Sequence, residues 1–106
     1  MPESGLLAEY ADWARLHGEA TDEGDSDRAN KAHDEVLRVL SLLDREGARA
    51  ELLSLLSDGH PSVRCWAATH SLTVNAETAE AALQQLAEGV GAVAFDAEMV
   101  LDRWRV

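Results

Sequence analysis

Apolar residues along this chain recur every three or four positions and nowhere hold a two-residue alternation, a pattern that predicts helices and no strand. Leu6, Tyr10, Trp13 and His17 follow spacings of four, three and four, and Leu7, Ala11 and Ala14 make the adjoining stripe. A first helix is therefore expected from the N-cap Ser4 to Glu19, closed by Gly18 and the acidic stretch through Gly24 and Asp25, which form a loop. Asp25 or Asp27 caps a second helix that runs to about Glu46. Ala29, Ala32, Val36, Leu37, Val39, Leu40, Leu42 and Leu43 give it a face wide enough for the central core element, and Gly47 takes the position just past its end. A third helix, Ala48 to Ser57, carries Leu52, Leu53, Leu55 and Leu56 before Asp58-Gly59 stops it. Pro61 opens a fourth, reaching about Val74, because its missing N–H would have no partner in the first turn; Asp58 or His60 can cap the free amides there. Asn75 caps a fifth helix with Ala79, Ala82, Leu83, Leu86 and Ala87 buried. The run from Gly89 to Phe95 reads as a loop with an apolar plug. Asp96 then caps a sixth helix carrying Met99, Val100, Leu101 and Trp104, with Trp104 expected in the core.

The expected fold is all-α, about six helices in antiparallel pairs within one domain spanning 1–106. In the segment from Asp58 to Ala68, Val63, Ala67 and Ala68 share a face, and the two alanines allow a close helix approach. This segment resembles the second helix of a HEAT repeat, in which helix pairs stack into a small solenoid. The strongest pair is Ala48–Ser57 with Pro61–Val74; Asn75–Glu88 with Asp96–Arg105 follows without the same Pro-x-Val-Arg signature. The long second helix exceeds an ordinary repeat helix, so a compact bundle capped by about two repeats fits better than a regular solenoid.

Three stretches carry a wider resemblance: Gly24-Asp25 followed by Asn30, then Val63-Arg64-x-Trp66-Ala67-Ala68, then Phe95-Asp96-Ala97-Glu98-Met99 with Trp104 near the end. In their combined order, from about Tyr10 to Trp104, they resemble a small bacterial family of HEAT-like proteins whose function is formally unassigned. Some members accompany bacterial toxins and resemble immunity proteins. The resemblance supplies no catalytic residues. In HEAT-like pairs an arginine at the position of Arg64 tends to pair with an aspartate of the inter-helix turn, here Asp58, so both residues, with the cap Asp96, are expected to be structural.

Charge changes the picture more than hydrophobic content does. Twenty acids against nine bases give a net charge of −11, which repels nucleic acid and anionic lipid headgroups and speeds the approach of a basic partner. Solubility alone accounts for such acidity equally well. The stretch from Glu19 to Asp27 tips the balance, since it holds five acids and no base; Asp22, Glu23, Asp25 and Asp27 are the candidate partner-binding residues. Trp66 and His70 join them. Their shared edge either faces a concave binding surface or fills a helix junction, and junction packing is favoured for Trp66. One lysine beside eight arginines suggests a GC-rich bacterial source.

Candidate chemistry is sparse. His17, His33, His60 and His70 form no metal signature, the acids from Asp22 to Asp27 lack the spacing of a calcium loop, and Gly89-x-Gly91 is no phosphate loop. Cys65, the lone cysteine, lies in an apolar run and reads as a small buried hydrophobe. No catalytic residue, metal or cofactor is expected, nor a signal peptide or a membrane span, and the expected location is cytoplasmic. The expected function is non-catalytic protein binding: an immunity protein that occludes a basic partner such as a cognate bacterial toxin. The alternative is a HEAT-like adaptor within a larger assembly.

Overall fold

A computed structural model describes residues 5–105, so the Ser4 cap lies outside the described residues. Five α-helices and one 3-10 helix follow one another, with no strand among the described residues: α1 (Gly5–Asp22), α2 (Ser26–Arg45), the 3-10 helix (Arg49–Ser57), α3 (Pro61–Ser71), α4 (Ala76–Ala87) and α5 (Ala92–Trp104). The all-helical expectation holds, and α1 with α2, the 3-10 helix with α3, and α4 with α5 make the most extensive packing pairs.

Local chemistry sets most of the ends. Gly24 and Gly47 take positive φ values of 73° and 67° past α1 and α2. At each, the next residue's amide reaches back to the helix, Asp25 N–H to Ala20 O and Ala48 N–H to Leu43 O, both at 2.9 Å. Asp25 is the residue that caps α2, accepting from the Arg28 amide at 3.1 Å. Pro61 starts α3 with His60 Nδ1 accepting from the Ser62 amide, and Asn75 caps α4 by accepting from Thr78.

Five expectations change. Gly18 does not end α1; the helix runs straight through it to Asp22. At Gly18 the α1 backbone crosses α3 so closely that an added Cβ would lie 2.5 Å from the Ser62 Cβ. The third segment is a 3-10 helix. Its turn of three residues aligns the buried Leu52 and Leu55 on the face that packs. α3 ends at Ser71, whose carbonyl receives both the Val74 and Asn75 amides at 2.9 Å. Finally, Asp96 is not an N-cap. α5 begins at Ala92 behind Gly91, because buried Ala94 continues the Ala97 and Leu101 stripe one turn further back. That extension turns Phe95 outward at 62% exposure, and Trp104, expected inside, is 40% exposed with its Nε1–H donating to Glu80 at 2.9 Å.

Two apolar clusters meet at α3. Val63 and Ala67 pack with Leu7, Tyr10, Val36 and Leu43, whereas Cys65, Ala68 and Leu72 pack with Ala79, Leu83, Ala97 and Leu101. Burying two faces demands small side chains, which is why the buried positions of α3 are Ser, Val, Cys and Ala. No helix among the described residues is long and apolar enough to cross a membrane.

Candidate functional site

The α1–α3 crossing that Gly18 permits brings His17 beside Trp66, one residue and one turn away on their respective helices. Trp66 is half-buried and meets three imidazoles, with ring centroids 5.2 Å from His17 and 5.5 Å from both His33 and His70. Its indole N–H donates to His17 Nδ1 at 3.4 Å. Burial lowers the His17 pKa, with the neighbouring His33 adding to the shift and Asp96 opposing it. Behind Trp66, the hydroxyl of the wholly buried Tyr10 is hydrogen-bonded to His70 Nδ1 at 2.8 Å. Burial, helped by Arg49, brings the His70 pKa down to about 4. Burial likewise raises Tyr10 well above its usual range.

In front of Trp66 opens a cavity of about 500 Å³. His17, Gly18, Thr21 and Asp22 of α1, His33 of α2, Ser62, Cys65, Trp66 and Thr69 of α3, and an α5 wall from Ala92 to Arg103 line it. Phe95 and Met99 of that wall are exposed apolar side chains. The expected partner-binding residues divide here. Trp66 and Asp22 line the cavity, His70 supports Trp66 from behind, and Glu23, Asp25 and Asp27 lie on the adjoining turn and first turn of α2. Arg28 holds Glu23 at 2.7 Å and lies 3.8 Å from Asp25.

Of the expected structural residues, Arg64 does reach Asp58, but its Nη1 donates to the backbone carbonyl at 2.7 Å. The Asp58 carboxylate instead accepts from the His60 amide at 2.9 Å. Arg49, which periodicity did not single out, has the more extensive role. It pairs bidentately with Asp44 at 2.7 and 2.9 Å and donates to the His70 carbonyl at 3.0 Å, joining the end of α2 to the end of α3. Its signal in the sequence was faint: a charged residue one turn of chain after Gly47, opposite an acid five positions earlier. Asp96, relieved of the capping role, lines the cavity instead.

No group of three or more His, Cys, Asp or Glu among the described residues is arranged to hold a metal ion. Burial pushes the Cys65 thiol up to about 11, so the sulfur that borders the cavity is a neutral thiol.

Residues 4–104 match the family model described as Domain of unknown function (DUF2019). Among solved structures, the crystal structure of the protein RPA1889 from Rhodopseudomonas palustris CGA009 is similar, with a TM-score of 0.88 and 27% identity over 94% of this chain and 85% of that one. No curated protein matches.

Proposed function

For a chain that belongs to the DUF2019 family, we propose a non-catalytic, cytoplasmic protein-binding domain of HEAT-like helix pairs that occludes a basic partner, as an immunity protein occludes a toxin. The observation that carries this reading is the cavity walled by Trp66, His17, His33, Phe95 and Met99 and bordered by the acids of the α1–α2 turn. An aromatic set in a concavity beside acidic rim residues has the anatomy of an interface hot spot. Occlusion requires no chemistry from this chain; it requires affinity and a fast approach, and a net charge of −11 favours the latter toward a basic surface.

The test is capture of the partner from a native host, followed by association kinetics at about 0.01 and 0.15 M salt, where the screening length falls from ~30 Å to ~8 Å. The association rate is expected to fall with salt and with joint replacement of Asp22, Glu23, Asp25 and Asp27 by Asn or Gln, with circular dichroism controlling for fold. An acidic partner, or a rate indifferent to both changes, overturns the reading. A second reading, an adaptor in a larger assembly, draws on Leu37, Val74 and Trp104, which are 41%, 37% and 40% exposed away from the cavity lining. A captured partner that keeps its full activity when saturated favours the adaptor over the inhibitor.

A further inference from the structure

The cavity carries a charge pattern that its own residues leave unanswered. Most acids elsewhere on α1 and α2 have a base to hand: Glu9 and Glu35 share Arg38, Glu23 and Asp25 share Arg28, Asp12 and Glu19 share Arg15, and Asp44 holds Arg49. Asp22 and Asp96, the two carboxylates that line the cavity, enter no hydrogen bond or ion pair among the described residues. They stand on different helices, so no local turn or cap explains either. The same cavity carries a ring-rich wall, Trp66 with His17 and His33 within 5.5 Å, and Phe95 of α5 lines it too. The Trp66 N–H bond to His17 Nδ1 requires an unprotonated nitrogen there, so near neutral pH the wall contributes π faces and no positive charge from His17.

Rings flanked by unpaired carboxylates attract a cation. We infer that this cavity seats an arginine side chain of the protein partner, its guanidinium laid against the Trp66 wall and bonded to Asp22 and Asp96. The inference rests on the protein-binding reading for where that arginine comes from. Arginine is preferred over lysine because its planar, weakly hydrated group stacks on rings and meets carboxylates with paired N–H donors. Arg103 is the one opposing charge. It lies seven residues beyond Asp96 on the same wall, about 10 Å along the α5 axis, and enters no ion pair among the described residues. A site built for an anion would use Arg103 and be hindered by the two aspartates, so the two ligand classes predict opposite mutant orders.

The experiment titrates the isotope-labelled full chain at pH 7.5 with N-acetyl-arginine amide and, separately, with the neutral isostere N-acetyl-citrulline amide and with acetate. It reads the Trp66 indole N–H by nuclear magnetic resonance, assigned through Trp66→Phe, with the Trp104 indole as internal reference and amide dispersion reporting the fold. The arginine compound is expected to shift the Trp66 signal saturably and the citrulline compound to bind roughly ten-fold more weakly. Asp22→Asn and Asp96→Asn should each weaken arginine binding roughly two- to five-fold, the range for exposed charge pairs, while Arg103→Gln leaves it equal or tighter. No saturable shift in the folded chain, equal binding of citrulline, or acetate binding that Arg103→Gln abolishes would each overturn the arginine site. Failure of the site and failure of the broader reading are separable. A basic partner whose capture is insensitive to Asp96→Asn, together with no arginine shift, removes the site and keeps protein binding. An arginine shift with no basic partner does the reverse.

Discussion

Gly18 and Ser62 meet where α1 and α3 cross, and their contact has a direct energetic consequence. Alanine at Gly18 would favour an isolated helix by about 1 kcal/mol. Here its Cβ would meet Ser62 Cβ at 2.5 Å and Oγ at 2.8 Å, while the Ser62 hydroxyl is already committed to the Ala14 carbonyl at 2.9 Å. Overpacking a buried crossing costs typically about 1–3 kcal/mol, so Gly18→Ala is expected to lower Tm despite its better helix propensity. Adding Ser62→Gly should recover part of that loss, and chemical denaturation of the four-member cycle measures it. The Tyr10–His70 pair gives the second prediction at this scale. With a folded pKa of about 4 against an unfolded value near 6.5, His70 contributes stability that is present above about pH 6.5 and is lost as pH falls toward 4. The loss attributable to this residue is on the order of 3 kcal/mol. His70→Gln retains an acceptor for the Tyr10 hydroxyl but has no titration. Its unfolding free energy should therefore depend less steeply on pH between about 6.5 and 4 than that of the parent chain.

Elements begin and end here through a few residues whose loss is separable from the core. Gly91, at φ 96° and ψ −169° before α5, occupies a region that is essentially confined to glycine. Nothing lies within 4 Å of a Cβ built there, so strain alone decides, and Gly91→Ala should cost about 1–3 kcal/mol. Gly89, two residues earlier, has no positive φ and only an ordinary contact of 3.4 Å to the Leu86 carbonyl, so Gly89→Ala should stay within about 0.5 kcal/mol. Paired thermal melts distinguish the two. Between elements, Arg49 and Arg64 contrast in the same way. Arg64 donates to one carbonyl within its own turn, whereas Arg49 joins α2 to α3 through a carboxylate and a carbonyl. Arg49→Ala is therefore expected to destabilise the chain more than Arg64→Ala, and urea midpoints at equal m-value report the difference.

Over the whole molecule, charge and connectivity set the behaviour. The longest extent is 35 Å and the net charge is −11, so at about 0.01 M salt, where screening reaches ~30 Å, most of the acids repel one another across the entire chain. The ion pairs are surface pairs and contribute little each. Raising salt to about 0.15 M should therefore raise Tm, the opposite of what a fold held by its salt bridges would do; calorimetry at the two salt concentrations checks it. Both apolar clusters depend on α3, which ties the α1–α2 half to the α4–α5 half. Enlarging Ala67 or Ala68 on its two faces should consequently disturb each cluster while the chain still unfolds in one transition.

Helical character, the rough place of five of the six segments, and the helix starts at Asp25, Pro61 and Asn75 were legible along the chain, because periodicity and capping act within a few residues. Trp66 and Asp22, both named from the sequence as candidates, line the cavity. The remainder depended on contacts between distant segments. Gly18 reads as a stop until α3 is seen to need its missing side chain. Ala92 to Phe95 reads as a loop until burial of Ala94 extends α5, which turns Asp96 from a cap into a cavity wall. His17 and His33 are separated by sixteen positions and Trp66 by thirty-three more, and no local pattern encodes their meeting. Helix propensity and capping are properties of neighbours along the chain, whereas a cavity is made by elements distant in sequence, whose approach is settled by which side chains are small enough to let them touch.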